Sequence, residues 1–455
     1  MLGKLIEPEL RALIAERRYK ELREEMKDLD PVDIAEVLQV LTLEEGIIVF
    51  RILPRALAAD VYENLPLQFQ EDVLRLLSNE QIAALLNEMD PDDRTDLLEE
   101  LPGKITTRVL SLLSPEERKI AKNLLGYPDY SVGRLMTPEY MAIREDWTVK
   151  QAFKHIRTYG RDKETINILY VVDEKGKLQD EIILRDLILA TPKTQIADLM
   201  NRQVIALQAT DDQETAAETM LRYDLSILPV VDSEGTLVGI VTNDDVMDVV
   251  VEEATEDIHR MGGMEALEEP YSQVSFTSML KKRAGWLTLL CLGAMITINV
   301  TKIFHGFLQE GAVLALFIPL IMSSGGNSGS QATTLVIRAL SLQDIRLGDW
   351  LRVFSRELLM GVLLGCILGG VALLRVVIWP ESPEYNLLLA ATVSISIIFV
   401  VMFGTIIGCL LPFILRLFGS DPALASAPLV TTLIDNLGIV IYFVMAYFIL
   451  SGTIL

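Results

Sequence analysis

Only three cysteines (Cys291, Cys366, Cys409) and three histidines (His155, His259, His305) occur in 455 residues, and none stands near another of its kind. That spacing excludes a disulfide framework, a CxxC zinc site and a clustered transition-metal centre. No P-loop is present, and no nucleophile, base and orienting group occur together, so the chain reads as a non-enzyme. The N-terminus, MLGKLIEPELRALIAERRYK, lacks the apolar core of a cleavable signal, which predicts that the polar part stays in the cytoplasm. Basic residues are scarce beside acids: 40 Lys+Arg face 63 Asp+Glu, a formal net charge of −23. Such a surplus argues against nucleic acid as a partner and favours cations.

The imbalance is confined to one side of the chain. Residues 284–455 hold 7 basic and 8 acidic side chains, which leaves a net of −22 to residues 1–283. An acidic soluble part is joined to an apolar, nearly neutral part. Crossing roughly 30 Å of hydrocarbon takes about 20 helical residues. Five runs in the second part approach or exceed that length: Ala284–Thr301, Gly311–Ile337, Leu358–Leu374, Asn386–Leu415 and Pro422–Leu455, the last interrupted by Asp435. Lys281, Lys282, Arg283, Arg346, Arg352, Arg356 and Arg416 gather on one side of these runs, whereas Lys302 and WPESPEY at 379–385 lie on the other. The chain is therefore expected in a cell membrane, N-terminus inside and C-terminus outside.

Two runs are polar at membrane depth. IPLIMSSGGNSGSQATT (318–334) sets Ser323, Ser324, Asn327, Ser328, Ser330 and Gln331 around glycines, which predicts a loosened helix with freed carbonyls. The glycines taken alone favour close helix packing. DPALASAPLVTTLIDNLG (421–438) combines Pro422, Pro428, Thr431, Thr432, Asp435 and Asn436. Asp435 has no basic residue at comparable depth, and a lone carboxylate there costs several kcal/mol unless it meets water, a cation or a partner. Carboxylate, amide, hydroxyl and carbonyl oxygens are hard ligands suited to Mg²⁺, Ca²⁺ or Mn²⁺. So few carboxylates lean towards Mg²⁺, which keeps much of its water.

The soluble part contains a repeat. RLMTPEYMAI (134–143) recurs as DLMNRQVIAL (198–207), and LYVVDEKGKL (169–178) as LPVVDSEGTL (228–237). Each copy reads as strand, helix, strand, Asp-x-x-Gly turn, strand, helix. This pattern resembles a tandem pair of CBS domains, a regulatory module. GIVTNDD (239–245) is similar to that family's nucleotide signature, which makes Thr242 and Asp245 candidate contacts for ATP; the first copy departs from it, with Asp180 and Ile183 at the Gly and Thr positions. Residues 1–130 show helical periodicity broken at DP, LP and SP dipeptides, and 249–270 an acidic helix ending at Gly262–Gly263.

Taken in order, these parts, with SSGGNSGSQ and DPALASAPLVTTLID, resemble the MgtE family of magnesium transporters and channels over essentially the whole chain. The expected fold is a multidomain membrane protein: an all-α helical-repeat domain (1–130), α/β tandem CBS domains (131–250), an acidic linking or plug helix and connector (251–283), and a five-helix α transmembrane domain (284–455). The resemblance implies a homodimer in the lipid bilayer with a pore between the second and fifth helices. It places pore ligands at Asp435, Asn327, Thr431 and Thr432. It places regulatory carboxylates at Asp92, Asp96, Asp212, Asp224, Asp245, Asp248, Glu253, Glu256, Asp257 and Asp421. Mg²⁺ would then be both cargo and regulator. Two other readings fit the same residues: an ion-coupled carrier of Mg²⁺, Mn²⁺ or Co²⁺, and a membrane-anchored CBS sensor signalling to a protein partner.

Overall fold

A computed structural model describes residues 2–267, 271, 274–306, 312–381 and 386–451. They form two compact units, 1–250 and 251–455.

The first unit begins with ten short helices, from Leu2–Ala15 to Pro115–Leu124. Helices of this length are marginal alone, so caps and a shared core decide their existence. Thr42 with Glu45 and Ser78 with Gln81 form reciprocal capping boxes, and the Asp30 side chain accepts from Val32 N at 3.1 Å. Ile34, Leu38, Val49, Tyr62, Ile82, Leu86 and Leu97 belong to one continuous core. Arg94 is wholly buried in it: Nη1 donates to Leu86 O (3.0 Å) and Met89 O (3.2 Å), and Nη2 pairs with Glu117.

Two small sheets follow. Strands β1 (Ala142–Arg144), β2 (Ile168–Val172) and β3 (Leu178–Ile183) repeat as β4 (Leu207–Gln208), β5 (Ile227–Val231) and β6 (Leu237–Thr242). In each the first pair is parallel and the second antiparallel, with a register shift at the matching place, Val171/Val172 and Val230/Val231. The Asp-x-x-Gly turns are closed by their aspartates: Asp173 accepts from Lys175 N and Lys177 N, and Asp232 from Glu234 N and Thr236 N. The turns also bond to each other, Leu178 N to Gly235 O (3.1 Å) and Leu237 N to Gly176 O (3.0 Å). The departure at Asp180 has a structural cause. At Gly239 an added Cβ would lie 2.9 Å from Thr137 O, whereas the fully buried Asp180 accepts the N–H groups of Asn201 and Arg202 at 2.7 and 2.8 Å. One copy closes by backbone approach and the other by a side chain.

The second unit has five helices long and apolar enough to cross a membrane: Phe276–Ile303, Ala312–Ser341, Leu347–Ile378, Asn386–Leu417 and Ala427–Leu450. We number these spans one to five. Four of them overrun the uncharged stretches read from sequence, because helical hydrogen bonding continues through charged flanks such as Lys281–Arg283 and Arg352–Glu357. The fifth starts later than expected. Pro422–Leu424 is a separate 3-10 turn, and Ser426 caps the span, accepting from Leu429 N at 3.4 Å.

The loosened second helix is not found: Ile318–Ser341 is helical throughout. Its glycines serve packing. A Cβ on Gly325 would lie 2.5 Å from Val400 Cγ1, and one on Gly329 would lie 2.2 Å from Ile434 Cδ1 and 2.9 Å from Gly404 O. The fourth helix thus approaches the second at backbone distance, and Ile434 of the fifth packs its side chain against the same glycines. Val393, Ile397, Val400, Val430, Ile434 and Tyr442 share the core of this unit. The first span has no buried side chain among the described residues and meets the fifth through polar contacts: Trp286 Nε1 donates to Ser426 Oγ (3.2 Å) and Thr297 Oγ1 to Asn436 Oδ1 (3.1 Å).

Candidate functional site

Three groups of polar residues stand out, two in the second unit and one in the first. The first is on the paired second and fifth spans. Gly326 leaves room for Thr431, whose Cγ2 would be 2.8 Å from a Cβ there, and Ser330 Oγ is 3.2 Å from Thr431 Oγ1 and 3.3 Å from Ala427 O. These contacts fix an antiparallel register, so Asp435, one turn past Thr431, is level with Ser323 and Ser324, about a turn from Asn327. Asp435 makes no ion pair among the described residues, and its Oδ1 is buried without a hydrogen-bond partner. An orphaned buried carboxylate oxygen is costly and calls for an explanation. Asn327 is exposed, with Nδ2 donating to Ser323 Oγ at 3.4 Å. Thr431 and Thr432 donate to carbonyls of their own helix, Ala427 O (2.9 Å) and Pro428 O (2.8 Å), which leaves their oxygens acceptor capacity. Thr432 turns towards Gly293 of the first span, away from the Thr431 contact with the second. Asn436 is used in packing, accepting from Thr297 and donating to Thr432 O at 2.8 Å.

The second group surrounds the end of the helix Asn243–Met261. Asp257 Oδ2 accepts from Ser341 Oγ (3.3 Å) at the end of the second span. Burial, then the nearby Asp421, pushes the Asp257 carboxyl above its usual range. Arg260 pairs with both Glu256 and Asp421, and Glu253 lies within its electrostatic reach. The other oxygen of Asp421 accepts from Ala423 N at 2.7 Å, closing the 3-10 turn. Met261 packs with Ile337, Ala423 and Ala425. Glu256 and Asp421 were both expected as regulatory carboxylates. In the structure a guanidinium stands between them.

The third group, in residues 1–250, gathers carboxylates from the helical domain and the repeat. Asp92 is 8 % exposed with Oδ1 unpartnered, and burial, then Asp245 and Asp93, holds it well above the usual carboxylate range. Asp93 is pushed to about 7 by burial, then Asp245 and Asp90. Glu164 also reaches about 7, by burial, Asp90 and Asp244, and Glu63 about 8, by burial, Asp93 and Asp90. Burial raises Asp245 to about 6 despite the hydrogen bond from Thr242, and it raises Asp248 as well. Asp96 is exposed on the same helix as Asp92 and adds to the repulsion on Asp93.

Of the residues expected here, Asp92, Asp96, Asp245 and Asp248 are thus drawn to one region. Asp212 and Asp224 have local duties at the two ends of the helix Gln213–Tyr223. Asp212 caps it by accepting from Glu214 N (2.9 Å), and Asp224 ends it in the left-handed region. Thr242 Oγ1 donates to Asp245 Oδ2 at 2.6 Å, so the two nucleotide-signature residues bond each other. Asp90, Asp93, Glu63, Glu164 and Arg260 were not read from the sequence. The acid run at 90–93 signalled the first two, and Arg260 is a lone arginine among acids, but Glu63 and Glu164 are remote in sequence. No group of three or more His, Cys, Asp or Glu side chains converges closely enough to hold a bare metal ion among the described residues.

Comparison with known proteins bears on all three groups. A family model described as MgtE, divalent cation transporter, matches residues 318–445; the MgtE intracellular N domain matches 29–130, and CBS domains match 132–193 and 196–252. A protein of Thermus thermophilus named magnesium transporter MgtE is 39% identical over 97% of this chain and 98% of its own length. One of the same name from Bacillus subtilis is 32% identical over 95% of each. A solved cytosolic domain of the Mg²⁺ channel MgtE in complex with ATP is 40% identical, with a TM-score of 0.51, over 53% of this chain and 98% of that one. The soluble part of a magnesium transporter gives a TM-score of 0.52 at 33% identity over 55% of this chain and 99% of that one. With near-complete coverage by named relatives and family matches in both its soluble and its membrane-spanning parts, the chain belongs to the MgtE family.

Proposed function

We propose that this protein is a homodimeric, Mg²⁺-selective channel that imports Mg²⁺ down its electrochemical gradient and closes when internal Mg²⁺ binds its acidic cytoplasmic part. The observation that carries the reading is Asp435: a carboxylate inside the fifth span, with one oxygen buried and unpartnered and no cationic side chain paired to it among the described residues. Mg²⁺ commonly keeps several waters and binds through one or two carboxylates, which two copies of Asp435 across a symmetry axis would supply. The first span, with no buried side chain in one chain, is consistent with a second copy beside it. The asymmetry of Lys and Arg supports an N-terminus inside and a C-terminus outside.

Membrane potential supplies about 2.3 kcal/mol per charge per 100 mV, twice that for a divalent ion, so no coupled reaction is needed. Closure follows from linkage. The carboxylates of residues 1–250 repel one another in the packed arrangement, and cations that bind this arrangement better than an opened one shift the population towards it. Several ions contributing about 1 kcal/mol each reach the roughly 5.5 kcal/mol that moves an equilibrium from 1:99 to 99:1. ATP is proposed as a ligand of the CBS pair, near Thr242 and Asp245, on the strength of the ATP complex of the related cytosolic domain.

The test is Mg²⁺ uptake into phospholipid vesicles by the full chain, by Asp435→Ala and by a chain lacking residues 1–130. Loss of flux in the first variant and loss of shut-off by internal Mg²⁺ in the second are expected. Full flux through Asp435→Ala would overturn the pore assignment, and currents that fail to reverse at the Mg²⁺ equilibrium potential would point to a coupled carrier.

A further inference from the structure

The second and fifth spans are fastened to each other at two heights, and Asp435 lies between them. One fastening is the contact of Ser330 Oγ with Thr431 Oγ1 at 3.2 Å. The other is at the opposite end of the second span, where Tyr442 Oη donates to Leu314 O at 2.9 Å. From Thr431 to Tyr442 the fifth span rises roughly 16 Å, with Asp435 one turn past the first fastening and two turns short of the second. Leu314 belongs to the 3-10 segment Ala312–Phe317 that leads into the helix Ile318–Ser341. A 3-10 run has poorer hydrogen-bond geometry than an α-helix, so its position depends on what it packs against. Leu314, Phe317 and Ile321 share one buried core with Tyr442. Tyr442 is itself wholly buried, so its hydroxyl depends on a protein partner. The next residue, Phe443, stacks on Phe304 at the end of the first span, with ring centroids 4.8 Å apart, which fixes the rotation of the fifth span at this height. A phenyl ring would fill the same space; the hydroxyl adds a set distance and direction to one carbonyl.

We infer that Tyr442 is a positioning residue for the ion site: its hydroxyl ties the fifth span to the lead-in of the second and, with the Ser330–Thr431 contact, sets where Asp435 stands against the Ser323, Ser324 and Asn327 face. The tie stands on geometry within one chain, whereas its effect on ion choice rests on the pore reading of Asp435. Mg²⁺ demands a near-ideal octahedral shell and gives up water reluctantly, so a site that prefers it must hold its oxygens at a fixed spacing. Ca²⁺ accepts six to eight oxygens in flexible geometry, so a site whose walls shift loses that preference. Tyr442 touches no ion. It acts through the two helices it joins.

Tyr442→Phe, which keeps the ring and removes the hydroxyl, tests the inference in the full chain by two readings. Amide hydrogen exchange of residues 312–318 in detergent is expected to speed about three- to tenfold, the effect of one buried hydrogen bond. Uptake of Mg²⁺ and of Ca²⁺ into phospholipid vesicles, each measured against concentration, reads the consequence. The preference for Mg²⁺ over Ca²⁺ is expected to fall about three- to tenfold, with maximal Mg²⁺ flux held within about twofold of the parent chain. Exchange unchanged by Tyr442→Phe would overturn the tie. Faster exchange with an unchanged preference, or Mg²⁺ and Ca²⁺ fluxes that fall in parallel, would overturn the positioning role and leave Tyr442 a packing residue. Full Mg²⁺ flux through Asp435→Ala would instead overturn the pore reading, and with it the effect on ion choice, while the exchange result stands.

Discussion

Residues 1–250 and the membrane-spanning helices handle negative charge in opposite ways. In the former, burial and then the acids around them, Asp244 included, raise the proton affinity of Asp90, Asp92, Asp93, Glu164 and Asp245, and no single one of these is isolated. Within the fifth span a single aspartate sits with an unpartnered oxygen. A crowd of acids is redundant: losing one relieves its neighbours. A lone acid is not. Under the proposed function, the crowd would give a graded response to cations and the lone acid an all-or-none passage for them.

The comparison can be broken or sharpened by experiment, beginning where the effect should be greatest. Asp435→Ala should lower Mg²⁺ flux by about 100-fold or more in the vesicle assay, since no other described carboxylate of the spans is placed to replace it. Arg94→Met should destabilise residues 1–250 by about 3–5 kcal/mol, read from thermal unfolding, because Glu117 and two carbonyls lose a buried partner. The pH dependence follows from the crowding. A carboxyl with a raised pKa in the packed state holds its proton more tightly there than when unfolded. Its stabilising contribution is complete below about pH 4 and is lost as pH rises through the folded-state value. For Asp245, Asp93, Glu164 and Glu63, at about 6, 7, 7 and 8, that loss runs from about pH 4 to about pH 8. In EDTA the melting temperature should fall across this window by ~5 °C, and excess Mg²⁺ should remove most of the fall. The smallest effect is expected for Asp93→Asn, which should move the half-closing Mg²⁺ concentration by only about two- to threefold. A loss of shut-off as complete as the flux loss of Asp435→Ala would show that the crowd is not redundant.

Much of this architecture was legible before any coordinates. The duplicated LYVVDEKGKL and LPVVDSEGTL segments specify two like sheets, because an alternating strand, an Asp-x-x-Gly turn and a second strand leave little freedom. Hydropathy located five spans, and the isolation of Asp435 was visible as the only acid deep in an uncharged run. What stayed hidden depends on distance in sequence. Glu63 and Glu164 join Asp93 and Asp90 only through folding, and an exposed and a buried arginine look alike on paper, so Arg94 gave no signal. Gly325 and Gly329 left two readings open, a loosened helix and close packing, because glycine serves both bending and close approach. The observed choice was set by Val400, Ile434 and Gly404 on neighbouring helices.

The exchanged hydrogen bonds between Gly176 and Leu237 and between Gly235 and Leu178 carry a consequence for how the duplication is used. The two turns meet in one short antiparallel bridge, Lys177 opposite Thr236, so each copy commits a backbone donor and an acceptor to the other. Gene doubling here yielded a single clasped body, and strain introduced at one turn is delivered to its twin through two short amide links.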